Sequence, residues 1–134
     1  MPSLPTVGGS SGTWGTELNA WLLTAHNADG TLKEVAQNVP TSSYTLVLAD
    51  AGKAVEMNVA SANNLTVPPN SSVAFPVGTV IEVVQLGAGQ TTIVAGSGVT
   101  IRSQGGLRLA GQYGAASLRK RATDEWVLVG ALVV

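Results

Sequence analysis

Past Thr31 the apolar residues fall in short blocks that alternate with polar positions and are divided by turn residues, which is the pattern of β-strands. Val55, Met57 and Val59 alternate with Glu56 and Asn58, and this predicts a strand with one buried face. Shorter blocks at 44–48, 65–67 and 73–75 predict further strands, the second stopped by Pro68-Pro69-Asn70 and the third by Pro76. The stretch 79–86 is nearly continuous in apolar residues and predicts a strand covered on both faces. Strands are also expected over 91–95, 99–103, 107–110, 116–121 and 126–134. Asp50-Ala51-Gly52, Gly87-Ala88-Gly89, Gly96-Ser97-Gly98, Gly105-Gly106 and Asp124-Glu125 punctuate them. About eight to ten short strands at this spacing predict a mainly β fold, an antiparallel β-sandwich or barrel-like domain. No fixed sequence period carries through the chain.

The pattern ahead of Thr31 is different. Leu18, Trp21, Leu22 and Ala25 follow helical spacing and predict one α-helix over 16–28. Thr16 suits the N-cap, Glu17 the positive helix start, and Asn27-Ala28-Asp29-Gly30 the stop. The first dozen residues are rich in Pro, Gly and Ser and read as an arm, either a disordered terminus or a strap that orders on a partner. Trp14 and Trp21 either seal the helix onto the β-core or anchor this segment to another protein. The expected organisation is an N-terminal arm and helix over 1–31, used for attachment, and a β-domain over 32–134.

Composition sharpens this picture. Among 134 residues, 11% are charged and 45% hydrophobic, while 36 are Ser, Thr, Asn or Gln. So apolar a chain is not disordered, yet no stretch approaches the ~18 consecutive apolar residues of a membrane-spanning helix. A surface wetted by hydroxyls and amides in place of ions fits a subunit partly covered by copies of itself, because charge depletion marks interface centres. There is no cysteine, and the N-terminus has no basic and apolar segments of a secretory signal. The charge is −4 up to Gly89 and +3 after it, too mild for a nucleic-acid footprint. Neither a nucleic-acid nor a membrane partner is therefore expected.

Catalytic groups are few. His26 is the only histidine and is expected to cap or pack at the helix end. The acids are scattered, no Gly-x-Ser-x-Gly elbow occurs, and no metal-ligand spacing is present, so no catalytic residue, metal or cofactor is expected. Asp50 reads as a turn residue, and Gly87-Ala88-Gly89 as a hairpin turn with no helix after it to cradle a phosphate. In Arg119-Lys120-Arg121 the strand period puts both arginines on one face and the lysine on the other. Arg119 and Arg121 are candidate subunit contacts.

The segment Gly12-Thr-Trp14-Gly-Thr-Glu-Leu18-Asn19-Ala-Trp21, closing on His26-Asn-Ala-Asp29-Gly30, resembles the N-terminal Trp-Gly, Leu-Asn segment of tailed-bacteriophage virion proteins. The rest resembles a β-rich module of phage tail-fibre and head-decoration proteins. It does so through Leu48-Ala-Asp50-Ala-Gly52-Lys, Val67-Pro-Pro-Asn70-Ser71, Phe75-Pro-Val-Gly78-Thr, Gln85-Leu-Gly87-Ala-Gly89-Gln, Gly98-Val-Thr-Ile and Trp126-Val-Leu-Val-Gly130. The likeness covers nearly the whole chain, though each motif alone is a turn signature. It implies a non-enzymatic structural protein, commonly a homotrimer, on the outer surface of a virion assembled in the host cytoplasm. A chain with no room for a long shaft is expected to be a capsid decoration or head-fibre protein. Pro2, Leu4, Pro5, Val7, Trp14, Leu18, Trp21 and Leu22 would then hold the major capsid protein or another virion protein. The alternative is a tail-fibre or receptor-binding module for a host-surface glycan. For that role Tyr44, Phe75 and Tyr113 are the candidate stacking residues, since Trp126 falls in an expected core strand.

Overall fold

The computed structural model describes residues 16, 18, 20 and 22–134. The chain divides into two compact units, Met1–Glu34 and Val35–Val134.

In the first unit the described residues Thr16, Leu18, Ala20 and Leu22 are helical, and turns follow at 23–25. The helix therefore stops short of the expected 28. The His26 amide closes a last bond on the Leu22 carbonyl at 2.9 Å, and His26 then forms an antiparallel bridge with Leu32. Local side-chain bonding explains the early stop. Asp29 Oδ1 accepts from both the amide and the hydroxyl of Thr31, at 3.0 and 2.6 Å, and Asn27 Nδ2 donates to Thr31 Oγ1. These bonds offer the backbone a tight hairpin in place of another helical turn. Ala25, expected on the apolar helix face, is exposed in that hairpin.

The second unit is a mainly β, sandwich-like pair of sheets. One sheet has six strands, in the order β1 (Gln37–Asn38), β3 (Ala54–Met57), β5 (Val80–Gln85), β9 (Ala115–Ala122), β10 (Glu125–Gly130) and β7 (Thr100–Arg102). The other has five: β11 (Leu132–Val133), β8 (Arg108–Leu109), β6 (Thr91–Ala95), β4 (Asn63–Val67) and β2 (Tyr44–Thr45).

The sheets are mixed, not antiparallel as expected. Pairs β1–β3, β3–β5, β2–β4, β4–β6 and β7–β10 are parallel. The reason lies in the connections. Most turn signals are corners that carry the chain across to the opposite sheet, so up to β6 each strand returns beside the strand of the previous coil, β3 beside β1, β4 beside β2, β5 beside β3 and β6 beside β4. A parallel neighbour requires such a crossover. Ala54 lies beside Glu82 and Asn63 beside Thr91, a step of 28 residues in both sheets. The preceding coil is shorter, pairing Gln37 with Ala54 and Tyr44 with Leu65, so no fixed period carries through. Gly87-Ala88-Gly89 is one of these corners and not a hairpin turn. A Cβ on Gly89 would stand 1.9 Å from the Ser61 carbonyl oxygen of the coil before, which only glycine tolerates.

The core lies between the sheets. Val55, Met57, Ile81, Val83, Leu118, Trp126 and Leu128 meet Leu65, Val67, Ile93 and Leu109. Phe75 fills it from a loop, edge-on to Trp126 at 5.5 Å. Its segment was expected to be a strand, but between Pro69 and Pro76 it folds as turns, with Ser72 and Val73 amides bonded to the Pro69 carbonyl. After Thr45 the expected strand likewise gives way to a 3-10 turn, Leu48–Asp50. The run 79–86 departs most from expectation. Only its inward residues Ile81, Val83 and Gln85 are buried; Val80 and Glu82 are exposed and Val84 is half-buried.

Candidate interaction surface

The buried polar side chains of the β-unit are spent on holding corners. Asp50 Oδ1 accepts from Asn38 Nδ2, and its Oδ2 accepts from the Tyr44 hydroxyl and the Val47 amide, each at 2.9 Å. This ties β1, β2 and the 3-10 turn to one carboxylate. Burial, and then the bond to Asp50 and its charge, raise the Tyr44 hydroxyl pKa above its usual value. Thr91 Oγ1 donates to Asn63 Oδ1 at 2.8 Å, and Gln85 Oε1 accepts the Thr91 amide at 3.2 Å. Lys120, 2% exposed, donates to Asn70 Oδ1 at 2.6 Å and to the Phe75 carbonyl at 2.7 Å. It pins the loop before β5 to β9. Among the described residues no group of three His, Asp or Glu side chains comes together in a way that could hold a metal ion. No helix among them is long and apolar enough to cross a membrane.

The outer face of the six-stranded sheet is built differently. Across β5, β9 and β10, Val80 lies opposite Arg119 and Arg119 opposite Val127. In the next row Glu82 lies opposite Ser117 and Ser117 opposite Val129; Val84 faces Ala115 beyond them. Val80 is 45% and Val129 65% exposed. Two hollows flank Val129. One of about 330 Å³ is lined by Val80, Glu82, Ala115 and Ser117. The other, about 670 Å³, runs along Arg102, Ser103, Gln104 and Leu132.

Arg119 and Arg121 share this outer face and Lys120 points inward, as the strand period requires. They differ in their pairing. Arg121 Nη1 bonds Glu125 Oε2 at 2.6 Å, and Arg102 Nε takes the other oxygen at 2.8 Å. The bond from Arg102 above all, with the charge and bond of Arg121, holds the Glu125 carboxyl below its usual pKa against the opposing effect of burial. Arg119 forms no ion pair among the described residues, and neither does Glu82.

Of the expected attachment residues, Pro2, Leu4, Pro5, Val7, Trp14 and Trp21 lie outside the described residues. Leu18 is helical and half-buried; Leu22, also helical, is 39% exposed. Leu22 lines a hollow of about 540 Å³ with Leu23, His26, Asn27, Ala28 and Gly30. His26 does not cap the helix: its Nδ1 is enclosed and has no hydrogen-bond partner among the described residues. Of the candidate stacking aromatics, Phe75 is buried and Tyr44 is tied to Asp50. Tyr113 is 72% exposed on a turn with φ +66°, its amide bonded to the Gln85 carbonyl at 2.6 Å. Trp126 is in the core, as its strand predicted.

Val80, Val84 and Val129 were not singled out by sequence reasoning. For Val80 and Val84 the signal was the nearly continuous apolar run 79–86, which was read as a strand covered on both faces. Neither a protein-family model, nor a curated protein, nor a solved structure matches this chain.

Proposed function

We propose that the protein is a non-enzymatic structural subunit of a bacteriophage virion, a homotrimeric capsid decoration or head-fibre protein. In this reading the first unit attaches it to the major capsid protein and the β-unit projects outward. The observation that carries the reading is the use of the buried polar groups. Asp50, Asn63, Gln85, Thr91 and Lys120 each fix a corner or loop of the sandwich, which is what a rigid stud needs. The low charge and the exposed valines of the outer sheet face support a subunit that is partly covered in its assembly.

Gold-labelled antibody to the protein, viewed on intact phage particles, tests this directly. Label over the head is expected. Label confined to the tail would replace the decoration role with the tail-fibre role, and unlabelled particles would remove the virion role altogether.

One observation favours a second reading, a glycan-binding module of a tail fibre. Tyr113 presents its ring to solvent from a backbone conformation that non-glycine residues rarely adopt, a kind of strain that clusters at functional sites. Glycan-array binding that disappears in Tyr113→Ala would put this reading first.

A further inference from the structure

We propose that the outer face of the six-stranded sheet, centred on Val129, is the surface through which one copy of this chain packs against another. The inference rests on the homo-oligomeric reading above and names the face that reading leaves open.

The first support is β5 itself. A strand largely apolar on both sides belongs between two layers, and the β-unit supplies only one. Ile81 and Val83 meet the core, while Val80 remains exposed and Val84 half-buried on the side without a layer. The second is shape. Val129 lines both a hollow on this face, shared with Val80, Glu82, Ala115 and Ser117, and a larger one at the end of the sheet, where Leu132 of the other sheet joins the lining. A second copy laid on this face can seat an apolar side chain in the hollow lined by Val80, Glu82, Ala115 and Ser117. The third is charge. Arg121 and Arg102 are satisfied by Glu125 within the chain, whereas Arg119 and Glu82 are exposed on this face without an ion pair among the described residues. Among the described residues the face carries one unpaired cation, Arg119, and two unpaired anions, Glu82 and the half-buried Glu56 of β3, so opposite charges are available on both copies, with Arg119 of one meeting Glu82 of the next. A nucleic acid or an anionic lipid surface would be repelled by Glu82 and would need a cluster of cations here.

Sedimentation of the full-length chain at micromolar concentration tests the proposal, comparing wild type with Val129→Arg, Arg119→Glu and the double variant Glu82→Arg/Arg119→Glu. Leu48→Arg, at an exposed position on the 3-10 turn, is the control. The wild type and the control are expected to be homo-oligomers. Val129→Arg is expected to dissociate, with Kd raised by at least about tenfold and an unchanged far-UV spectrum. Arg119→Glu should weaken association, and the double variant should restore it. A monomeric wild type would overturn both the homo-oligomeric reading and this face. An oligomer that survives Val129→Arg and Arg119→Glu would overturn the face alone.

Discussion

The two faces of the six-stranded sheet follow opposite rules although they alternate along the same strands. On β9, Ala116, Leu118 and Lys120 are buried, and Ser117, Arg119 and Arg121 between them are exposed. On β10 the inner residues Trp126 and Leu128 are buried, while Val129 one step on is open to solvent. Inside, the buried polar side chains are hydrogen-bonded, Lys120 to Asn70 Oδ1 and the Phe75 carbonyl. Outside, apolar residues lie uncovered, and Arg119, Glu82 and Glu56 lack an ion pair among the described residues. The lesson is that apolar content alone does not locate a core: the inner face is completed by this chain, and the outer face is suited to completion by another.

The inner face should be the more sensitive, and Trp126→Ala should show the largest effect. Removing a buried Trp costs about 3–5 kcal/mol, and here it also strands Phe75, so denaturant unfolding should show a severe loss of stability. Lys120→Met comes next. It keeps most of the volume but leaves Asn70 Oδ1 and the Phe75 carbonyl without their donor, at about 1–3 kcal/mol for a buried unsatisfied group. A neutral result would mean that Lys120 does not hold the loop.

A smaller effect follows from Tyr44. Its pKa is raised above 10.0 in the folded state, so its contribution is complete below the unfolded pKa and is lost as pH rises through the folded one. Melting temperature from neutral to strongly alkaline pH should therefore fall more steeply for wild type than for Tyr44→Phe. Parallel curves would contradict the Tyr44–Asp50 arrangement. Smallest is Val129→Arg, whose effect on the folding of a single subunit should lie within about 0.5 kcal/mol, as for exposed substitutions generally. A large loss of subunit stability would mean that Val129 packs within its own chain.

Much of the inner face was legible in sequence. Strict alternation placed Val55 and Met57 in the core and separated Lys120 from Arg119 and Arg121, because a period of two assigns a face whatever the strand's neighbour. Trp126 was legible for the same reason. Strand pairing was not, because a Gly-rich turn such as Gly87-Ala88-Gly89 has the same composition whether it closes a hairpin or turns a corner. The short helix was hidden by apolar spacing that continued to Ala25 while Asp29 and Thr31 had already committed the backbone to a hairpin. The exposure of Val80 was not legible because an apolar run does not say whether a second layer within the chain covers its outer side. The attachment residues from Pro2 to Trp14, and Trp21, lie outside the described residues and receive no structural account.

The central claim is that the outer face around Val129 meets its counterpart on another copy, and the absence of native cysteine makes it directly testable. Val129→Cys introduces a single thiol, so any disulfide formed on mild oxidation must join two chains. The account predicts rapid cross-linking of Val129→Cys into dimers on a denaturing, non-reducing gel, joining at most two of the three chains of each trimer, with little from Leu48→Cys under the same conditions. Equal, slow cross-linking at both positions in a protein that sediments as an oligomer would contradict it.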